Sequence, residues 1–440
     1  MNKTFLFILS SLFIMLTASC SSDYRCAIPA GSTALISVDA KAINADALKS
    51  LLGTEDMEAS GIDASERLIL FESADGNMGL CAKVSDNDAL SELLSKLATT
   101  GKTQKISQRN DCTFYRLSDS WVIGYSSTSM LIMGPVVVAQ QPQMVQKMAT
   151  YLSQGEEQGM LSSPLMKQLE NHESSIAMVA QAQALPETLA AIFSLGAPKD
   201  ADASQVIIDA DINNTGTAIT IEGHPMSFNK QINSEIEKNI SSLRPISQGY
   251  LTAASRNSLV SLFLNAEGGT LLKMLQQNKG LQMLLAGINQ AIDLNAIISS
   301  IDGDILVSVP SYANEKMSIS MAAKLSNSYW LKDVSYWKTS VPEGGKINDW
   351  QKDAYQYTDG TMSFFFGATS DNQFYSGSSP QEATASIAPA EEQHKAEVLK
   401  LAEGKRIALI ISLSSLLKDS DAALALPLLG NTSTIVYTVK

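Results

Sequence analysis

Histidine, cysteine and basic residues are the scarce components of this 440-residue sequence. It contains no CxxC, HExxH, GxSxG, P-loop or GxGxxG pattern, so zinc, thiol redox, serine hydrolase and nucleotide chemistry lack a signature. The three histidines show no metal-ligand spacing, and we expect isolated surface residues at His172, His224 and His394. We therefore expect no catalytic residue set, no metal and no cofactor.

Positive charge is also in short supply. The chain has 32 lysines and arginines against 45 aspartates and glutamates. Removal of residues 1–19 would remove Lys3. The remaining chain would have 31 basic residues and a net charge of −14. Such a surface repels phosphate backbones, which excludes a general nucleic-acid binder.

Only four cysteines are present, and one of them lies in the N-terminal signal described next. The others are Cys26, Cys81 and Cys112. An oxidising compartment would permit one disulfide and leave one free thiol. Cys81 and Cys112 both lie in strand-like runs, where a bridge and two separate buried thiols are the two alternatives.

The first twenty residues have the layout of an export signal. Lys3 supplies a positive charge, residues 5–16 are apolar, and small residues precede Cys20. The apolar run is shorter than the about 20 residues needed to span a bilayer. The small-small-Cys ending resembles the lipobox of bacterial lipoproteins. That resemblance implies that residues 1–19 are a removed signal peptide, that Cys20 carries lipid, and that residues 20–25 form a short tether.

The residues around the anchor indicate a location. Ser21, directly after the cysteine, resembles the outer-membrane sorting class of lipoproteins. We expect an outer-membrane protein that faces the periplasm, with exposure on the cell surface as the alternative. A later apolar stretch at 281–301 is interrupted by Asn289, Gln290 and Asp293, so the N-terminal lipid is the only membrane contact expected.

The chain repeats itself. Short motifs recur in the same order along the sequence, and their separation drifts in small steps, as loop insertions would produce. The matched segments are 34–40 with 259–266, 67–71 with 304–308, 82–85 with 323–326, Tyr115 with Tyr357, Gly134 with Gly377, and 174–185 with 405–416. The sequence therefore predicts two tandem halves, 26–243 and 245–440, descended from one duplicated unit.

Each half combines hairpins with helices. Short apolar runs separated by turn residues predict strands at 34–40, 67–72, 78–84, 112–117, 121–125 and 130–134. Helical spacing predicts helices at 87–98, 142–153, 185–195 and 229–243, with Asp86 as the N-cap of the first. These patterns indicate an α+β fold, in which each half is a mostly antiparallel sheet with helices packed on one face.

The segment after the lipobox points to a family. Residues 27–44 read AIPAGSTALISVDAKAIN, with Ile28, Pro29 and Ala30 leading into an apolar strand. Together with the lipobox, this segment resembles the Bacteroidetes lipoproteins of domain-of-unknown-function family 4836. The resemblance implies a cell-envelope location and that phylum. It carries no catalytic residue over to this sequence.

Four aromatic residues are the best candidates for a ligand surface. Tyr329 and Trp330 lie seven positions before Tyr336 and Trp337, so the two pairs share one helical face. The corresponding positions of the first half lack aromatics. A platform for a glycan or peptide is one interpretation. The alternative is that the stripe packs in the interior, where large aromatics usually lie.

Two further patterns have ordinary explanations. Asp209, Asp211 and Asn213 occupy the first ligand positions of a calcium loop, but the required glycine and glutamate are missing, so a hairpin turn is expected. The segment 415–418 spells SxxK and residues 85–87 spell SDN, as in penicillin-binding enzymes. Their order is reversed and no KTG follows, which indicates chance matches.

The sequence as a whole favours a lipid-anchored, non-catalytic binding or assembly module of the cell envelope, with an envelope glycan or protein as partner. One alternative is a hydrolase of envelope polysaccharide or peptidoglycan. It would need a deep pocket in which carboxylates converge and their pKa values are pushed apart. A structural spacer is the other alternative.

Overall fold

The computed structural model describes residues 23–42, 58–109, 111–118, 120–185, 187–278, 280–282, 291–313, 316–413 and 432–440. The predicted signal peptide, Cys20 and the SxxK segment at 415–418 lie outside these ranges. Residue contacts divide the chain into two compact units, Met1–Asn171 and His172–Lys440. The predicted halves 26–243 and 245–440 concern sequence similarity and remain a prediction.

Seven strands of the first unit pair side by side, and every pair among these seven is antiparallel. The spatial order is β1-β2-β3-β7-β6-β5-β4. The strands are β1 (Ala34–Asp39), β2 (Arg67–Glu72), β3 (Met78–Lys83), β4 (Gln104–Arg109), β5 (Cys112–Ser118), β6 (Trp121–Tyr125) and β7 (Ser129–Gly134).

Helices cover both faces of this sheet. Helix α1 (Asn87–Thr99) places Leu90, Leu94 and Leu97 against a core that includes Tyr115 and Ile123. Helix α2 (Gln141–Leu152) packs on β6 and β7, and a Cβ at Gly124 would lie 3.2 Å from Cε of Met148. Because neighbouring strand residues point to opposite faces, α1 and α2 lie on opposite sides. Helix α3 (Pro164–Leu169) packs beside β1.

Twelve strands of the second unit pair in the order β8-β9-β10-β21-β20-β11-β12-β15-β19-β18-β17-β16. Its pairs are antiparallel except β10 with β21, which is parallel. A separate hairpin joins β13 (Tyr312–Ala313) and β14 (Lys316–Met317). The sheet strands are β8 (Ile176–Gln181), β9 (Ile207–Asn214), β10 (Ile219–Met226), β11 (Val260–Glu267), β12 (Ile301–Val309), β15 (Ser320–Leu325), β16 (Lys346–Gln351), β17 (Ala354–Thr358), β18 (Ser363–Ala368), β19 (Gln373–Gly377), β20 (Ile407–Ser412) and β21 (Thr434–Val439).

The helices of the second unit also lie on two faces. Consecutive residues Phe263 and Leu264 of β11 belong to different apolar clusters, as their alternation requires. The Leu264 cluster includes α5 to α8, whereas the Phe263 cluster includes α10. The helices are α4 (Glu187–Phe193), α5 (Lys230–Ser242), α6 (Gly268–Gln277), α7 (Leu294–Ser299), α8 (Val334–Ser340), α9 (Pro380–Ala385) and α10 (Ala396–Ala402).

The mixed α/β class with mostly antiparallel sheet is confirmed, but the expected covering of one face is wrong. Strands β7 and β20 are buried at every position, which requires cover on both faces. The sequence patterns do not predict β4, whose residues QKISQR are largely exposed. An edge strand with polar side chains on both faces lacks the apolar alternation that identifies strands.

A close approach of two helices gives a test of this packing. A Cβ added at Gly268, the first residue of α6, would lie 2.2 Å from the backbone oxygen of Ile298 in α7. We expect Gly268→Ala to lower the free energy of unfolding by about 2 kcal/mol or more, because two backbones must separate. Urea denaturation measures the change.

Gly269→Ala is the matched control. Its Cβ would approach only the Glu267 carboxylate, whose Oε1 lies 3.1 Å away on a side chain that can move. We expect that variant to change stability by less than about 1 kcal/mol. Equal effects of the two substitutions would contradict the close contact between α6 and α7.

Candidate functional site

The aromatic stripe divides between the interior and the surface. Tyr329–Asp333 form a 3-10 turn that leads directly into α8. Trp330 and Trp337 are 3% and 5% exposed, whereas Tyr329 and Tyr336 are 69% and 71% exposed. The interior alternative therefore holds for the tryptophans, which cannot meet a ligand, and the predicted four-ring surface reduces to two tyrosines.

The buried tryptophans hold this segment on the sheet. Their rings stack with centroids 6.0 Å apart and planes 5° from parallel. Trp330 also packs against Phe366 of β18 and Phe374 of β19, with ring centroids 6.2 and 6.1 Å away. Large aromatics buried in this way contribute strongly to core stability. Each exposed tyrosine directly precedes one of these buried tryptophans. The packing of the tryptophan therefore holds the backbone of the tyrosine in place.

Charged groups lie beside Tyr329 and follow Tyr336 in the sequence. The Lys332 ammonium lies 5.0 Å from the ring centroid of Tyr329, within cation–π range. Lys338 forms a 2.6 Å ion pair with Asp349 and lies 5.2 Å from the ring centroid of Tyr355. The segment therefore combines two exposed tyrosines with lysines close to them in the sequence.

A second polar cluster is centred on His172. Its Nε2 lies 2.6 Å from Asp209 and its Nδ1 lies 2.8 Å from Asp211. The two aspartates are two residues apart on β9, so they point to the same face of the strand. The predicted hairpin turn after them is confirmed, since β9 and β10 pair from Asn214 opposite Ile219. The expectation that His172 is an isolated surface residue is wrong.

The His172 imidazole lies between the carboxylates of Asp209 and Asp211, and we call this cluster the His172 clamp. Burial by itself would lower the pKa of His172, but hydrogen bonds to Asp209 and Asp211 outweigh it and raise the pKa above its usual value. Burial likewise opposes ionisation of Asp211, yet hydrogen bonds from Ser174 and His172 bring its pKa below the usual range. In the protonated form both ring nitrogens donate to carboxylates, so neither nitrogen can accept a proton.

Two other acidic residues have structural roles. Asp304 of β12 accepts hydrogen bonds from Ser247, Gly249 and Asn265, which fixes the loop before β11. Asp86, from the SDN match, caps α1 by accepting from Asp88 and Ala89. Among the described residues, no three histidine, cysteine or acidic side chains converge to hold a metal ion.

The other histidines and cysteines are mostly buried. His394 is buried, and burial lowers its pKa, so it is not the surface residue that was expected. His224 is exposed on β10. Cys26, Cys81 and Cys112 are free, buried thiols, so the alternative of a Cys81–Cys112 bridge does not hold. Burial raises the pKa of all three thiols, which disfavours the nucleophilic thiolate.

The His172 clamp predicts a pH-dependent contribution to stability. Because the folded-state pKa is raised, the stabilisation is fully present below the unfolded-state pKa of about 6.5 and is lost as pH rises through the folded-state value. We expect His172→Gln to destabilise the protein by about 1–3 kcal/mol near pH 6, and by less at alkaline pH. Chemical denaturation over this pH range measures the difference, and a pH-independent difference would contradict the clamp.

Comparisons with known proteins give a family and little else. The model of the family described as "Domain of unknown function (DUF4836)" matches residues 30–393. No curated protein sequence matches the chain. Among solved structures, crystal forms I and III of TP0453 share 8% and 7% identity with it, each over 84% of this chain and 98% of that chain. Their TM-score is 0.26 in both cases, too low to carry an argument about fold or function.

Proposed function

Since the chain belongs to the family of domain of unknown function DUF4836, we propose that it is a lipid-anchored protein of the bacterial cell envelope that acts by binding. The proposal places it in the outer membrane of a Bacteroidetes cell, facing the periplasm. Its support is the N-terminal layout of Lys3, the apolar run 5–16 and small residues before Cys20. Within the described part of the chain, no helix is both long and apolar enough to cross a bilayer.

Replacing the cysteine tests the anchor. We expect Cys20→Ala, expressed in a Bacteroidetes host, to abolish labelling by a clickable fatty acid and to release the protein from washed membranes. Acylation supplies the hydrophobic attachment, at about 0.8 kcal/mol for each buried methylene. Cys26→Ala is the matched control, because that thiol is buried in the folded body. Membrane retention of Cys20→Ala would contradict lipid anchoring.

The proposal includes descent from a duplicated unit, and strand order supports it. The series β1-β2-β3-β7-β6-β5-β4 in the first unit has the same order as β11-β12-β15-β19-β18-β17-β16 in the second. Gly134 ends β7 opposite Met78, the first residue of β3. Gly377 ends β19 opposite Ser320, the first residue of β15. These glycines are the pair that the sequence repeat aligns.

The proposed binding surface is Tyr329 and Tyr336, and its supporting observation is that both are exposed beside buried tryptophans. A protein–protein interface has a core depleted of charged residues. Here Lys332 lies over the ring of Tyr329, and Lys338, two residues after Tyr336 in the sequence, forms an ion pair with Asp349. A glycan suits this mixture better, because its C–H faces stack on tyrosine while its hydroxyls bind charged groups. We therefore infer an envelope glycan as the ligand.

Truncating both rings tests this surface. We expect the double substitution Tyr329→Ala and Tyr336→Ala to weaken binding of purified envelope polysaccharide about tenfold or more, equivalent to about 1.4 kcal/mol. Isothermal titration of residues 21–440 measures the change. Tyr312→Ala is the matched control, because that tyrosine is similarly exposed on the separate β13–β14 hairpin. Equal loss in the control, or no glycan binding at all, would refute the proposed surface.

A further inference from the structure

The start of the folded body is fixed to one end of the first unit's sheet. The backbone oxygen of Tyr24 accepts hydrogen bonds from Sγ of Cys81, at 3.4 Å, and Oγ of Ser129, at 3.1 Å. The Tyr24 hydroxyl donates to the backbone oxygen of Arg67 at 2.6 Å. These three contacts join Tyr24 to β2, β3 and β7 at once.

The residue before Tyr24 is also held. Asp23 caps the short 3-10 turn Tyr24–Ala27 by accepting from the backbone N–H of Arg25. The Arg25 guanidinium pairs with Asp23 at 2.5 Å and with Glu170, after α3, at 2.6 Å. Planar guanidinium pairs of this kind fix geometry as well as charge. Asp23 and the turn that follows it are therefore held in place on the first unit.

This attachment point lies toward one end of the strands, and its contact to Cys81 is two residues in from the end of β3. Arg67 is the first residue of β2, and Lys83, the last of β3, pairs with Ser129, the first of β7. Each of these strands has six residues and is therefore about 17–20 Å long. The opposite end carries Glu72 and Met78. We call the two ends the Lys83 end and the Met78 end.

The distance to the proposed lipid is short. Only Ser21 and Ser22 separate Cys20 from Asp23, so the two Cα atoms are at most about 11 Å apart. This reach is shorter than the strands. From it we propose that the Lys83 end of the first unit rests on the bilayer surface, and that the Met78 end points away from it. The inference rests on the proposed acylation of Cys20.

The chemistry of the Lys83 end suits lipid headgroups. Lys83 lies 3.1 Å from both Asp63 and Glu66, and these ion pairs are partly exposed. Mixed charges of this kind favour contact with zwitterionic headgroups over burial in acyl chains. The lipid, rather than the protein surface, would then supply the membrane affinity.

The Met78 end carries exposed apolar side chains. Met78, Val137 and Val138 are each more than half exposed, and Gly134 pairs with Met78 just before the two valines. An apolar group of this kind would ordinarily be a candidate for membrane contact. With so short a tether, it can reach the bilayer only if the strands lie along the membrane plane. The proposal instead places these side chains in the aqueous compartment.

Fluorescence quenching distinguishes the two orientations. Full-length acylated protein, carrying one fluorophore at Ser65→Cys or at Ala74→Cys, is reconstituted in phosphatidylcholine vesicles that contain a headgroup-nitroxide lipid. Both positions are exposed, Ser65 near the Lys83 end and Ala74 in the β2–β3 turn. The native thiols are buried and should not label. We expect quenching to be several-fold stronger at position 65.

A longer tether is the matched control. Inserting a Gly-Ser segment of about 20 residues between Ser22 and Asp23 adds a mean reach of about 25 Å, and should remove the difference between the two positions. Equal or reversed quenching in the unextended, acylated protein would overturn the inference alone. The mass of the N-terminal lipopeptide is measured on the same samples, and an unacylated Cys20 would overturn the proposed anchoring and this inference together.

Discussion

Burial of both sheet faces is the constraint on which the rest of the structure depends. Strands β7 and β20 have no exposed position, so each must present apolar side chains to two layers of helices. Such strands read as continuous apolar runs rather than alternating ones. Polar residues are displaced to the edges and loops, as in β4 with its sequence QKISQR. That polar edge also limits pairing with other chains.

The same constraint shapes the proposed ligand surface. The stacked tryptophans Trp330 and Trp337 fill space over β18 and β19, where Phe366 and Phe374 form the floor. Their burial orients the segment, and the residues before them then face solvent. The exposure of Tyr329 and Tyr336 is thus a consequence of core packing. A ligand that stacks on them would meet a preorganised surface, which reduces the entropy lost on binding.

Asp209 and Asp304 are buried carboxylates, and nearby hydrogen-bond donors satisfy both. Asp209 is almost fully buried, and His172 supplies both the hydrogen bond and the opposite charge. Asp304 is satisfied by backbone and side-chain donors of a neighbouring loop. Removing one partner from such a group leaves an uncompensated charge, which is costly in a low-dielectric interior. The polar clusters of the second unit therefore fix the geometry of its loops. In the first unit, the hydrogen bonds of Tyr24 fix the position of the N-terminal segment.

The sequence by itself determined the elements whose residues carry a local signal. Apolar runs with turn residues between them identified β1 to β3 and β5 to β7, and the spacing of Leu90, Leu94 and Leu97 with Asp86 before them identified α1. Only the tertiary structure decided that both sheet faces are covered, that Trp330 is buried beside exposed Tyr329, and that His172 meets Asp209. The reason is physical: periodicity records which residues share a face, but not what lies opposite that face. A contact between two residues that are 37 positions apart in the sequence cannot be recognised from the spacing of neighbouring residues.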